Sequence, residues 1–393
     1  MTKKKCVLLL NRFSYPPLSG YKLKTYNLIK ILNKHYSLNI ILITDERIDS
    51  QTTDFLEKNS HEHKVYTFAK WRFYWNTLKT FLFSKKPLQV GYFDFNHLHK
   101  PIASAIQDAD VVIPSLTRTT EYVIPVEFKG KRILDMVDSY ALSYARSKEK
   151  TNSFFWRKIY EIEAVRLHNY EKKLVSYFDT TIFVNREEVA YWSKYGSCKA
   201  VPNGVDDKLF AIKAKYDSKN PSIAFFGKMD YPPNVDAVKW YLANVFPLLP
   251  DNVIFYIVGI SPSVEILKIA KKYKNVVVTG FIDNPYGLLS ECLAIIAPMQ
   301  TGGGIQNKVL EAMALGKPNI LSSLAAMPIG GENNKHFLVA DTVGEHIDSF
   351  NKLLNNNLLS EHIGNEAREF IKENYSWQYY EESLMEVLNR QVH

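Results

Sequence analysis

Short apolar runs alternate with helical patterns along almost the whole chain, and this alternation constrains the fold more than any other feature. In the first half the runs are Cys6–Leu10, Leu38–Thr44, Val65–Phe68, Asp110–Ser115, Arg132–Val137 and Thr181–Val184. In the second half they are Ile223–Gly227, Val253–Gly259, Val276–Gly280, Leu293–Pro298, Asn319–Ser322 and Phe337–Ala340. Runs of about four to eight residues, rich in Val and Ile and closed by Gly, Pro, Asn or Asp, read as buried parallel strands. The stretches between them carry helical spacing, as in Leu23–Leu32, Trp156–Val175 and Asp236–Phe246. Strand–helix alternation gives right-handed crossovers and open, doubly wound sheets. Twelve such strands exceed one ordinary sheet, and 393 residues suit two domains. The expected fold is therefore α/β, with two Rossmann-like domains facing a cleft. The seam is expected near Val201-Pro-Asn-Gly-Val-Asp206, where a Pro and an Asn-Gly turn precede the polar stretch Lys213–Pro221. Ligands of such sheets bind outside the carboxyl ends of the strands, so the residues just after strands are the candidates for function.

Composition excludes several classes. Charged residues at 23% and hydrophobic residues at 46% are globular rather than disordered values. No apolar run approaches the roughly 20 residues that span a bilayer, and the apolar stretch near Met1 is too short for a secretory signal. Cys6, Cys198 and Cys292 lie far apart without zinc or disulfide spacing, which points to a reducing, cytoplasmic setting. The net charge of +8 favours an anionic partner: a phosphate-bearing ligand, a membrane surface or nucleic acid.

The stretch Leu293–Gly316 narrows this choice. It reads as a strand, then Gly302-Gly303-Gly304, then a helix with Gly316 as its stop. Three glycines let the backbone approach a ligand closely, and the N–H groups opening a helix receive a diphosphate. Ile305, Val309 and Met313 recur at helical spacing as a buried stripe. Lys308 and Glu311 share another face and lean back over the loop, the lysine towards phosphate and the carboxylate towards a ribose diol. The plain alternative is a tight turn followed by a surface Lys–Glu pair. No Walker or Gly-x-Gly-x-x-Gly pattern is present.

This segment resembles the donor-binding part of retaining glycosyltransferases of the GT-B fold, family 4. Pro202-Asn203-Gly204-Val205-Asp206, Phe226–Asp236, Val278-Thr279-Gly280-Phe281, Leu310–Pro318 and Tyr375-Ser376-Trp377 follow in the family's order. The resemblance covers about residues 201–377 and is looser before them. It implies a metal-free site and an N-terminal acceptor-side domain over 1–203. It also implies a nucleotide-sugar domain over 204–372 and a last helix, 373–393, packing back towards the first domain. It implies transfer of a hexose-type sugar from a nucleotide-diphosphate sugar, UDP- or GDP-linked, to a glycan or lipid-linked glycan in bacterial surface-polysaccharide assembly. Many members carry a Glu-x7-Glu pair. Here Glu311 stands at the second position and Gly303 at the first, so the donor-ribose role carries to Glu311 and the first role to no side chain. A nucleotide-sugar 2-epimerase and a non-catalytic sugar-nucleotide or glycan-binding subunit are the alternatives.

The remaining candidates take their roles from the same resemblance. Ser19 and Gly20 end a small-residue loop after the first strand and would face the donor phosphates; the plain reading is a Pro-rich turn with Ser19 as N-cap. Gly227 and Lys228 end a strand, and Lys228 would join Lys308 in clamping the leaving diphosphate. Gly304 and Ile305 complete the donor loop, and Asn234 reads as a helix N-cap. Asp138, just past a strand end, would address the transferred sugar or the acceptor, with Asp135 a weaker candidate. Asp108-Ala109-Asp110 precedes its strand and reads as turn chemistry, and no His or Cys cluster suggests a metal. Residues 70–86 interleave Lys and Arg with Trp, Phe and Tyr. They suit a packed helix with basic edges or the inner-leaflet membrane surface; no nucleic-acid module is present.

Overall fold

The computed structural model describes residues 3–13, 15–17, 20–150, 154–215, 221–302 and 304–390. These residues form two compact units, residues 1–202 with 381–393, and residues 203–380.

The first unit holds a parallel sheet of seven strands. They are β1 (Lys5–Leu10), β2 (Ser37–Thr44), β3 (Glu62–Thr67), β4 (Val111–Pro114), β5 (Lys131–Val137), β6 (Thr180–Phe183) and β7 (Cys198–Ala200), in spatial order β3-β2-β1-β4-β5-β6-β7. The second unit holds six parallel strands. They are β8 (Ser222–Phe226), β9 (Ile254–Val258), β10 (Val276–Gly280), β11 (Ala294–Ala297), β12 (Asn319–Leu321) and β13 (Leu338–Val339), in order β10-β9-β8-β11-β12-β13.

Each of the twelve expected runs contains a strand. β7 was not expected: it is a three-residue edge strand, Cys-Lys-Ala, only partly buried along its length, so it carries no apolar run. β3 starts three residues before its apolar part, because its first half, Glu62-His63-Lys64, lies at a sheet edge. The central strands are apolar on both faces because helices cover both: β4 is buried throughout, and so is β1 after its first residue.

In both sheets the first strand lies between the second and the fourth. The chain winds one way from that strand and the other way after the third. Such a reversal opens a crevice at the carboxyl ends of the two central strands. In the first unit these are β1 and β4, and in the second β8 and β11.

Candidate functional site

At the crevice of the second unit, β8 ends at Phe226 and the chain turns at Gly227, whose φ is 146°. A Cβ there would fall 2.9 Å from the Asn234 Nδ2, so the position needs glycine for space as well as for conformation. After β11 the chain passes Gly302 and Gly304 at φ 112° and 76°. The helix then runs over Asn307–Ala314, with the extended Gln306 as its N-cap and no side chain capping it. It starts later than the sequence pattern implies, because these glycines are not helical. Ile305 therefore lies in the loop, partly buried against the second core, while Val309 and Met313 are the buried helical positions.

A cavity of about 250 Å³ sits here, lined in part by Gly227, Lys228, Asn234, Met299, Gly302 and Lys308. The Lys308 Nζ donates to Asn234 Oδ1 at 2.7 Å, lies 3.5 Å from Met299 Sδ and sits 4.0 Å from the Phe225 ring centroid. All of these partners are neutral. Burial without a counter-ion holds the ammonium's pKa down at about 7. Asn234 in turn donates to the Lys228 carbonyl at 2.9 Å. It is not the N-cap the sequence suggests: Tyr231 caps the helix Pro232–Asn244, leaving Asn234 in the first turn to tie Lys308 to the Gly227–Lys228 turn. The Lys228 ammonium lies 3.1 Å from Asp230 Oδ2, in an exposed pair of small energetic weight.

Glu311, three residues after Lys308, does not pair with it. Its Oε2 accepts from the Tyr286 hydroxyl at 3.2 Å. Burial raises its pKa to about 7; the Tyr286 bond opposes the rise and the charge of Asp206 adds to it. Sequence reasoning missed Tyr286, the first residue of the helix Tyr286–Glu291, and no spacing rule would have linked it to Glu311.

In the first unit, Asp138 follows β5 directly, after Val137 at φ 65°. Its side chain reaches solvent, yet dense packing around it raises its pKa, with Lys24 and Arg146 opposing and Asp135 adding to the rise. Asp135 is buried and spent on an ion pair with the equally buried Lys24. Two buried carboxylates that the sequence did not single out hold the loop beyond Asp138. Glu188 accepts from the Ser139 N–H at 2.9 Å; Glu171 accepts from the Ser139 hydroxyl at 2.6 Å and the Ala141 N–H at 3.1 Å. Burial lifts their pKa values to about 7 and about 8. Gly20 opens the helix Gly20–His35. Ser19 and Gly303 lie outside the described residues. Asp110 accepts from the Lys5 N–H at 2.7 Å and Asp108 closes a helix, both structural duties.

Residues 70–83 form a helix of which only Phe73 and Thr80 are buried. Trp71 is 65% exposed and Phe83 84%, so most of its aromatic residues face solvent rather than a core. No described helix is long and apolar enough to cross a membrane. Among the described residues, no group of three His, Cys, Asp or Glu side chains is placed to hold a metal.

Residues 220–356, within the second unit, match the family described as glycosyl transferases group 1. The chain is 25% identical over 280 residues to an uncharacterized glycosyltransferase of Methanocaldococcus jannaschii, covering 68% of this chain and 70% of that one. It is 22% identical over 391 residues to an uncharacterized 44.6 kDa protein in the cps region of Klebsiella pneumoniae, covering 94% and 96%. Among solved structures, sucrose-phosphate synthase of Thermosynechococcus elongatus aligns with a TM-score of 0.67 at 13% identity, over 98% of both chains. HepE of Anabaena in complex with UDP aligns with a TM-score of 0.64 at 14% identity, over 98% of this chain and 99% of that one. The fold is that of the GT-B glycosyltransferases.

Proposed function

We propose that the protein is a retaining, metal-independent glycosyltransferase. It moves a hexose-type sugar from a UDP- or GDP-linked donor to a glycan or lipid-linked glycan in bacterial surface-polysaccharide assembly. The observation that carries this reading is Lys308, a poorly hydrated ammonium with only neutral partners on the wall of a glycine-edged cavity at a switch point. An anion is the partner such a group lacks. HepE, solved with UDP, supports a uridine nucleotide, and the Klebsiella relative's place in a cps region supports the polysaccharide setting.

In this reading Lys308 and Lys228 receive the diphosphate together with N–H groups at the helix start, and N–H groups around Gly303 and Gly304 bind the sugar. Ser19 and Gly20 contribute a second small-residue loop to the phosphates. Gly227 leaves room for the donor, Ile305 supports the loop, and Glu311 accepts hydrogen bonds from the ribose diol. Asp138 addresses the transferred sugar or the acceptor. The anomeric C–O bond of the donor breaks and its electron pair leaves on the phosphate. The acceptor oxygen bonds the same face of the sugar, and its proton passes to that leaving phosphate oxygen. The protein works in the cytoplasm, at the inner leaflet, where the exposed aromatic and basic residues of 70–86 meet lipid.

The test is a thermal-shift panel of UDP-, GDP-, ADP-, CMP- and dTDP-sugars with EDTA throughout, on wild type and Glu311→Ala. A ligand that binds the native state raises its midpoint by an amount that grows with the logarithm of its concentration over Kd. One nucleotide should stabilise wild type, and the variant should lose about tenfold or more in affinity for it. A panel without any shift would reject the donor assignment.

A further inference from the structure

The first unit carries a cavity of about 530 Å³ at the carboxyl edge of its sheet. Asn11 and Arg12 reach it directly after β1, Asp45 and Glu46 directly after β2, and Arg118 from the 3-10 turn after β4. It therefore stands at the switch point of its sheet, where an open parallel sheet takes a ligand.

The polar groups of this wall are unevenly satisfied. Asn11 is 1% exposed, and among the described residues its Nδ2 has no hydrogen-bond partner; the Arg12 Nε is likewise buried without one among them. Arg118 gives its Nε and Nη2 to the neutral Gln89 Oε1, at 3.0 and 2.7 Å, and packs on the Phe93 and Tyr140 rings at 5.6 and 5.2 Å. Two carboxylates share the wall: Asp45 accepts from the Tyr92 hydroxyl of the same wall at 3.0 Å, and Glu46 lies 3.6 Å from the Lys22 ammonium. The Arg12 guanidinium also lies 5.1 Å from the Tyr21 ring centroid, so among the described residues neither guanidinium on this wall is neutralised by a carboxylate pair, and the Asn11 amide stands beside them. Guanidinium geometry matches carboxylate and phosphate oxygens. Tyr74, Tyr92 and Tyr144 supply the aromatic wall that pockets for small ring-shaped ligands use beside a few fixed polar groups. Tyr140, whose ring packs on Arg118, begins the helix Tyr140–Lys150, two residues after the candidate carboxylate Asp138.

We propose that this cavity is the acceptor site and that it selects a sugar carrying an anionic group, a uronate carboxylate or a phosphate, bound by Arg12 and Arg118. The word acceptor rests on the glycosyl-transfer reading above; the choice of an acidic sugar rests on the cavity alone.

Saturation-transfer NMR on the intact chain, with methyl glucuronide, glucose 6-phosphate and neutral methyl glucoside as probes, tests it. At least one acidic probe should bind and the neutral one should not; the acidic probe that saturates at lower concentration identifies the group. Arg12→Gln and Arg118→Lys should each weaken that binding about tenfold. An unchanged thermal midpoint shows each variant folded, and an unchanged response to UDP shows the second unit intact. Equal binding of acidic and neutral probes, binding of none, or acidic binding untouched in both variants overturns the proposal. Acidic binding by a protein that responds to no nucleotide would sink the transfer reading and leave the acidic-sugar site standing.

Discussion

Lys308 and Glu311 are near neighbours on one helix but are solvated differently from any surface pair. Each is part-buried, each leans on neutral partners, and burial moves both pKa values to about 7 from opposite sides. In the proposed donor site, nucleotide binding needs the lysine charged and the glutamate ionised. Above neutrality the free protein has lost the Lys308 proton, so binding must take one up and affinity falls with rising pH. Below neutrality Glu311 is protonated and affinity falls again. UDP titrations across pH 5–9 should therefore give a bell centred near 7, with Lys308→Met removing the alkaline limb and Glu311→Gln the acid limb. Calorimetry in buffers of different ionisation enthalpy checks the proton uptake; a flat profile would refute it.

At the scale of elements, the loop after β5 is held by the Glu171 and Glu188 side chains in addition to its backbone bonds. Glu171 has its folded pKa raised to about 8 from an ordinary value near 4.5, so the folded state keeps a proton that the unfolded chain releases. That contribution is complete below about 4.5 and is lost as pH rises through about 8. Denaturation midpoints should decline over this window, and Glu171→Gln should flatten the decline; an identical slope in the variant would exclude Glu171 as its source. These carboxylates show where sequence reading stops. The strands announced themselves because an apolar run of Val and Ile suits only a covered sheet. The Gly302-Gly303-Gly304 run and Lys308 were visible because glycine, lysine and a following helix are local in sequence. Glu171 and Glu188 reach Ser139 across more than thirty positions of chain, with no periodicity to mark the meeting. Asn234 was legible as a helix-start residue, but its partner Lys308 lies 74 positions on. Helix Lys70–Phe83 left a packed helix and a lipid surface open in sequence; in the structure Trp71, Trp75 and Phe83 are exposed, which no local pattern had marked.

At the scale of the whole molecule, that exposed helix adds an aromatic, basic-flanked surface to a chain of net charge +8. The intact protein should sediment with anionic phospholipid vesicles and less so with neutral ones or at high salt. Trp71→Glu with Phe83→Glu should cut the bound fraction about tenfold or more, since each side chain would bury apolar surface in lipid. Equal recovery with neutral vesicles would reject the surface. The division of the chain has a consequence for its synthesis. Residues 381–393 belong with the first unit, where the Lys131 ammonium donates to the Val387 carbonyl at 2.6 Å and Lys199 pairs with Glu386 at 2.9 Å. A ribosome delivers these residues only after it has made all of the second unit. The part that emerges first is therefore closed last, and a nascent chain halted anywhere in the second unit carries a first unit still missing its final helix.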